Sequence, residues 1–291
     1  MNISYSFVIP HHNTPILLNR LLKSIPMRKD VQIIVIDDNS DDDKRPIIQD
    51  DSVEVIYLDS QQSKGAGKAR NVGLRRASGN WLVFADSDDF FVDNVLEILD
   101  QYKESKSDMV LFKANSVNSD TLEPANRHFG INKLIDDCID GKITQLELSL
   151  SVQQPWCRMI RRNFVNDHNI LFDEVIASND TMFTTKVSCQ AKYIEISKDI
   201  LYVVTFRKGS LWNSRKNPDN YLSRIGVAIE RAQYLKSLGI PTIPLIVPYV
   251  QYGYIDFKDN IKALCMIVKS GMLFLDIFPF LKKQINKFFH I

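Results

Sequence analysis

The chain has 291 residues, 36 basic against 35 acidic side chains, 45% hydrophobic and 10% aromatic content. The near-cancelling charge excludes a protein drawn to nucleic acid by its overall field, and the apolar content excludes a disordered chain. The length allows one generous core or two modest ones. Cys138, Cys157, Cys189 and Cys265 form no CxxC pair. They read as buried thiols in a reducing compartment, neither a disulfide frame nor a zinc site. The N-terminal MNISYSFVIPHHN carries no basic flank before a long apolar run, so no secretory signal is expected and cytoplasmic residence is.

Tyr5 to Pro10 is a short apolar run that suits a buried strand. Over 14–25, Ile16, Leu17, Leu21, Leu22 and Ile25 recur at helical spacing behind Thr14 and Pro15, a cap residue followed by proline at the first helical position. Val31 to Ile36 (VQIIVI) and Val53 to Leu58 (VEVIYL) predict strands, the first ending in Asp37-Asp38-Asn39-Ser40. A helix is expected from about Gly67 to Ala77, closed by Gly79. A strand over Trp81 to Ala85 stops at Asp86-Ser87-Asp88-Asp89, an amphipathic helix covers 93–105, and a strand covers Met109 to Phe112. This alternation predicts an α/β fold with a mostly parallel sheet and helices on both faces, in which ligands sit beyond the carboxyl ends of the strands.

From 115 to 205 the pattern is less regular. Helical stretches are expected near 143–151, near 158–167 and over Asn179 to Cys189, and a last strand over Leu201 to Phe206. The final eighty residues are helical and aromatic. Ala263 to Leu281 is interrupted by Lys269, Asp276 and Pro279 and is followed by Lys282, Lys283 and Lys287. That argues against a membrane span and for an amphipathic helix with a basic tail, either packed on the protein or lying on an anionic membrane surface.

Three carboxylates within Asp86 to Asp89 repel one another unless a cation or donors relieve them. Hard carboxylate oxygens suit Mg²⁺ or Mn²⁺, which complete their shells with phosphate and water, as a bound nucleoside diphosphate would require. Read alone, the cluster also suits a helix cap. Asp37-Asp38-Asn39-Ser40 falls at the same expected rim, where one carboxylate can accept a base N–H; it is equally a good turn. Gly65-Ala66-Gly67-Lys68-Ala69-Arg70-Asn71 opens a helix whose N-terminus can approach an anion, but it is not a P-loop, since Ala69 stands where Ser or Thr is required. Asp180 precedes an apolar helical pattern, where it serves either the helix dipole or as a general base. Trp156 and Arg158 offer an apolar platform beside positive charge, which fits either the core or an acceptor sugar. His11 and His12 lack a third ligand at metal-binding spacing; contact with a base or ribose is the functional reading of His12.

In order and spacing, VIPHHN, VIDDNSDD, GAGKARNVGL, FADSDDF, PWCRMIRRNFVNDHNILFDE and SNDTMF resemble the family 2 glycosyltransferases, over roughly residues 3–210. The resemblance implies an inverting enzyme of the GT-A fold. It would have a Rossmann-like domain over 1–210 (nucleotide-sugar half 1–115, acceptor half 116–210) and a helical C-terminal extension over 211–291. Pro10 and His12 would line the base pocket, Asp38 would accept from the base, and Arg70 would contact the nucleotide. Asp86 and Asp88 match the two aspartates of the DxD motif, holding ribose and metal, with Asp89 as a substitute metal ligand. Asp180 matches the base aspartate, and Trp156 and Arg158 would face the acceptor. His12 stands where an aromatic residue is usual, Asn179 replaces a usual glutamate, and Arg158 a common lysine. The implied partners are a UDP-sugar, Mn²⁺ or Mg²⁺, and a saccharide or lipid-linked saccharide of a capsule or O-antigen type polymer at the inner membrane face. A dehalogenase-like phosphatase, a sugar nucleotidyltransferase and a non-catalytic glycan-binding scaffold are the rival readings.

Overall fold

The computed structural model describes residues 2–48, 50–207, 217–242, 245 and 257–272. These divide into two compact units, Met1–Glu174 with Phe183–Lys208 and Val175–Met182 with Gly209–Ile291. The expected acceptor half is therefore split, because 175–182 belongs to the second unit.

The first unit is organised by an eight-stranded sheet, taken here in chain order. β1 (Tyr5–His11) and β2 (Val31–Asp38) are central strands, buried along most of their length. Their near-continuous apolar runs, without polar alternation, are what a strand covered on both faces requires. β3 (Val53–Leu58), β4 (Trp81–Phe84), β5 (Phe90–Phe91), β6 (Met109–Asn118), β7 (Arg158–Arg161) and β8 (Ile194–Phe206) complete the order β3-β2-β1-β4-β7-β6-β8-β5. β1, β2, β3 and β4 are mutually parallel, β6 runs parallel to β8, and only β7 and β5 oppose their neighbours. The sheet is thus mixed, with most strands aligned, as the sequence pattern predicts.

The helices of this unit are α1 (Pro15–Lys23), α2 (Ala66–Arg76), α3 (Val95–Asp100), α4 (Phe129–Ile139), α5 (Gln145–Ser151), α6 (Arg162–Asp167) and α7 (Thr181–Gln190), whose first two residues lie in the second unit. α5 is opened by a reciprocal cap: Glu147 N–H donates to Thr144 Oγ1 at 3.1 Å, and Thr144 N–H to Glu147 Oε2 at 2.9 Å. α2 lies unusually close to the sheet. A Cβ on Gly73 would fall 2.4 Å from Val8 Cγ1 and 2.8 Å from Ile36 Cδ1, so glycine is what lets this helix settle on β1 and β2.

The expected helix over 158–167 is corrected. Arg158–Arg161 pairs with β4 on one side and β6 on the other, and only Arg162–Asp167 is helical. The slot between two apolar strands outweighs the local helical spacing, since pairing there satisfies the backbone on both edges. β6 and β8 are longer than expected, and their mutual pairing supports residues of weaker strand pattern.

In the second unit, α8 (Pro218–Ser237) and α9 (Phe257–Lys269) share a cluster of Tyr221, Ile225, Ala232, Ala263 and Ile267. Ser223 Oγ donates to Ala177 O at 3.0 Å and so holds the 175–182 segment to α8. No described helix is long and apolar enough to cross a membrane. Residues 273–291, including the expected basic tail, lie outside the described residues.

Candidate active site

The parallel register brings the polar ends of β1, β2 and β4 to one rim. His11 is the register partner of Asp37, and β4 runs alongside β1 before leading into Ala85 and Asp86. Three loops that are far apart in sequence therefore meet at the carboxyl edge of the sheet, where open α/β sheets bind ligands.

At the first two strand ends, His11 Nδ1 lies 2.7 Å from Asp37 Oδ1 and both side chains are buried. The Thr14 N–H points at His11 Nε2 from 3.2 Å. Those partners assign the proton to Nδ1, which donates to the carboxylate while Nε2 accepts. Burial pushes the His11 pKa below its ordinary value against the opposing pull of Asp37. Asp37 Oδ1 also accepts from Ser40 Oγ at 2.6 Å, and Oδ2 from Ser40 N–H at 3.2 Å. Next door, Pro10 is buried and His12 exposed, with His12 Nδ1 3.0 Å from Asp38 O. Asp38 itself is buried, and its Oδ1 has no hydrogen-bond partner among the described residues. A buried carboxylate oxygen left unsatisfied is costly, and a donor on a ligand would relieve it. Asn13 and Asn39 both adopt left-handed backbone, at φ 56° and 58°, a conformation that asparagine tolerates better than most residues.

The acidic turn after β4 is held from several sides. Arg70, buried on α2, donates to Asp86 Oδ1 at 2.6 Å and stands over the Phe172 ring at 5.3 Å. Asn71 fixes that ring's backbone, with Nδ2 donating to Phe172 O and Phe172 N–H returning to Asn71 Oδ1, both at 2.9 Å. Asp86 N–H donates to Tyr202 Oη at 2.9 Å, and Asp88 O accepts from Arg20 Nη2 at 2.6 Å and Thr205 Oγ1 at 2.9 Å. The Asp88 carboxylate is 28% exposed and lies 3.7 Å from Arg207 Nη2. Its pKa is raised by burial and by the Asp86 charge. Arg20, Tyr202, Thr205 and Arg207 carried no readable signal in the sequence, because each reaches the turn from a distant segment.

Three expected roles are corrected. Asp89 is 3% exposed and turned inward, its Oδ1 accepting Thr205 N–H at 2.7 Å. It pins the turn to β8 and does not face a cation; burial and the adjacent Asp88 and Asp86 charges push its pKa well above the carboxylate range. Arg158 is 0% exposed. Its guanidinium donates to Ser149 O at 2.8 Å and to Val152 O, and it meets Ser149 Oγ and Ser188 Oγ at 3.3 Å. It is a cap for the end of α5, enclosed by protein, and offers nothing to an acceptor. Trp156 is likewise mostly enclosed, at 5% exposed, and stacks on Tyr202 at 4.9 Å and 14°. That is a core contact behind the acidic turn, in place of the expected sugar platform.

No group of three or more His, Cys, Asp or Glu able to enclose a metal exists among the described residues. A cation with one protein carboxylate, the rest of its shell coming from phosphate and water, is compatible with that count. The half-exposed Asp88 carboxylate, beside a second charge on Asp86, is a donor set of that kind. Asp180 directly precedes α7 and belongs to the second unit; the network described above lies wholly in the first.

The sequence matches the family described as Glycosyl transferase family 2 over residues 6–168. It is 27% identical over 307 residues to the glycosyltransferase GlyG of Streptococcus pneumoniae, covering 93% of this chain and 96% of that protein. It is 26% identical over 223 residues to the poly(ribitol-phosphate) beta-N-acetylglucosaminyltransferase TarS of Staphylococcus aureus. That match covers 73% of this chain but only 37% of TarS. A crystal structure of S. aureus TarS 1-349 in complex with UDP-GlcNAc superposes with a TM-score of 0.60 at 24% identity, over 78% of this chain and 66% of that one. The family match spans more than half of the chain: the protein belongs to glycosyl transferase family 2.

Proposed function

We propose that this protein transfers a sugar from a UDP-sugar to a hydroxyl of a cell-surface glycan or lipid-linked saccharide, with inversion at the anomeric carbon. The observation that carries the reading is the convergence, at one sheet edge, of Asp38 with its unsatisfied buried oxygen and of the Arg70–Asp86–Asp88 turn. The first presents an acceptor for a base N–H, and the second presents hard oxygens where a diphosphate needs a counter-charge. A relative named as a poly(ribitol-phosphate) beta-N-acetylglucosaminyltransferase, with a crystal structure in complex with UDP-GlcNAc, supports the donor class and a polymer acceptor.

In this reading Pro10 and His12 flank the base, Asp38 accepts from it, and Arg70 orients Asp86 toward the ribose. Asp88 would hold Mn²⁺ or Mg²⁺, which when bound would supply charge neutralisation for the diphosphate. Asp180 takes the proton of the acceptor hydroxyl, whose oxygen bonds to the anomeric carbon as the bond to the nucleotide breaks on the opposite face. The product from an α-linked donor is a β-glycoside. An acceptor in a membrane fits the exposed row Phe257, Ile261, Leu264 and Val268 along α9, an apolar stripe suited to a lipid surface. Work on a capsule or O-antigen type polymer at the inner membrane face belongs to the same proposal.

The test is titration calorimetry with UDP and with GDP, with and without Mn²⁺, on the wild type and on Asp88→Ala. Metal-dependent binding of UDP that disappears in the variant is expected. Binding that is indifferent to both Mn²⁺ and Asp88 overturns the cation assignment, and absence of nucleotide binding overturns the donor assignment.

A further inference from the structure

The His11 side chain bonds Asp37 and the Thr14 N–H, not the carboxylates expected to meet a donor, and it is fully buried at this rim. Its two ring nitrogens are spent in opposite senses: Nδ1–H on Asp37 of β2, and Nε2 as acceptor of the Thr14 N–H at the entry to α1. From each end the connections continue. Asp37 holds Ser40 through Oγ and N–H, and Ser40 Oγ accepts Asn13 N–H at 2.9 Å. Asn13 Oδ1 accepts Asp41 N–H at 2.9 Å, and Thr14 Oγ1 meets Ser87 Oγ, within the acidic turn, at 3.0 Å. The loop bearing His12, the turn bearing Asp38 and the turn bearing Asp86 and Asp88 are thus tied through one imidazole.

Resting on the donor reading above, we infer that His11 is a positioning residue for nucleotide recognition: through Asp37 and Thr14 it sets where the Asp38 carboxylate meets the base. The geometry gives a reason for a histidine at this place. The site needs a donor and an acceptor on opposite sides of one rigid planar group, across parallel partners whose spacing the sheet fixes. Neutral imidazole alone among side chains of that size offers one of each on a single rigid ring. Asparagine can supply the donor to Asp37, but its short amide cannot also reach the Thr14 N–H. The Thr14 amide is then left without its acceptor, and the two loops lose their common anchor.

A merely structural role lowers stability, whereas a positioning role also couples to Asp38. The experiment is therefore a double-mutant cycle read by UDP affinity in the presence of Mn²⁺, using His11→Asn, Asp38→Ala and the pair. Groups in one hydrogen-bond network show such coupling and independent sites do not. The expected result is a loss of about tenfold in UDP affinity for His11→Asn in the wild-type background. In the Asp38→Ala background the same change should cost less than about twofold, since no base-reading carboxylate remains to misplace. Ser40→Ala, which cuts the same network one bond further on, is run in parallel and should show the same dependence on Asp38, so that poor folding of one variant does not decide the matter. Losses that add independently in both cycles, with wild-type binding intact, overturn the positioning role alone. A wild type that binds no uridine nucleotide overturns the donor reading and this inference with it.

Discussion

Replacing Arg158 by methionine separates a structural arginine from an acceptor-binding one. The side chain is 0% exposed and caps α5 from within the protein, donating to the carbonyls of Ser149 and Val152. Methionine has nearly the same reach but no donor. Ser188 Oγ lies 3.1 Å from Ser149 O but has one proton and a nearer acceptor in Thr184 O at 2.6 Å, so the Ser149 and Val152 carbonyls both lose the arginine's donors. A buried acceptor losing its partner costs ~1–3 kcal/mol. Loss of a cation at a helix C-terminus adds up to ~2 kcal/mol. Relief from burying a guanidinium offsets part of both. The net destabilisation expected is ~2–4 kcal/mol, which in a chain of this size lowers Tm by roughly 3–7 °C. Thermal unfolding followed by circular dichroism reads this directly, and UDP affinity measured well below the transition should stay within about twofold of wild type. An Arg158→Met protein with unchanged Tm and a raised KM for acceptor would refute the structural assignment and restore the acceptor role read from the sequence.

Other consequences follow from the same contacts. Asp180→Asn should lower turnover by ~10²–10⁴-fold, the usual contribution of a positioned base, with UDP affinity unchanged; near-normal single-turnover transfer would remove Asp180 from the chemistry. Asp89→Asn keeps an oxygen for the Thr205 N–H, so Mn²⁺-dependent UDP binding should survive within about twofold, whereas Asp88→Ala should lose it. Equal losses from both would make Asp89 a metal ligand after all. Because burial depresses the His11 pKa, the unfolded chain binds more protons than the folded one as pH falls below the free-histidine value of ~6.5, and folding stability drops there. The stability gap between wild type and His11→Asn, from urea unfolding, should therefore be widest near pH 8 and shrink toward pH 5, with a slope of up to ~1.4 kcal/mol per pH unit; a gap independent of pH would show that folding leaves the ring's pKa unshifted, and one that widens toward pH 5 that the ring is charged in the fold.

Much of the first 115 residues was legible because its determinants are local. VQIIVI predicts a central strand from its own apolar run, and the Asp-rich turn that follows a parallel strand must lie at its carboxyl end whatever the rest of the chain does. The helix opened by the reciprocal cap of Thr144 and Glu147 falls within the stretch expected near 143–151, since two residues three apart set its start. Asp86 and Asp88 could be singled out since mutual repulsion within four residues needs no tertiary knowledge.

What tertiary structure decided is every feature whose partner lies far along the chain. Asp89 looks equivalent to Asp88 in sequence, and only β8, delivering the Thr205 N–H from 116 residues away, turns one inward while the other stays at the surface. Arg158 sits in a pattern that suits a helix, and it became a strand residue because β4 and β6 left a slot with unpaired backbone on both sides. Its charge was then drawn to the carbonyls at the end of α5. His11 became a link between loops only when parallel pairing set it opposite Asp37. Local pattern fixes which face of a segment is apolar, but a buried polar group is satisfied by whatever the fold brings beside it, and that identity is not written in its neighbourhood.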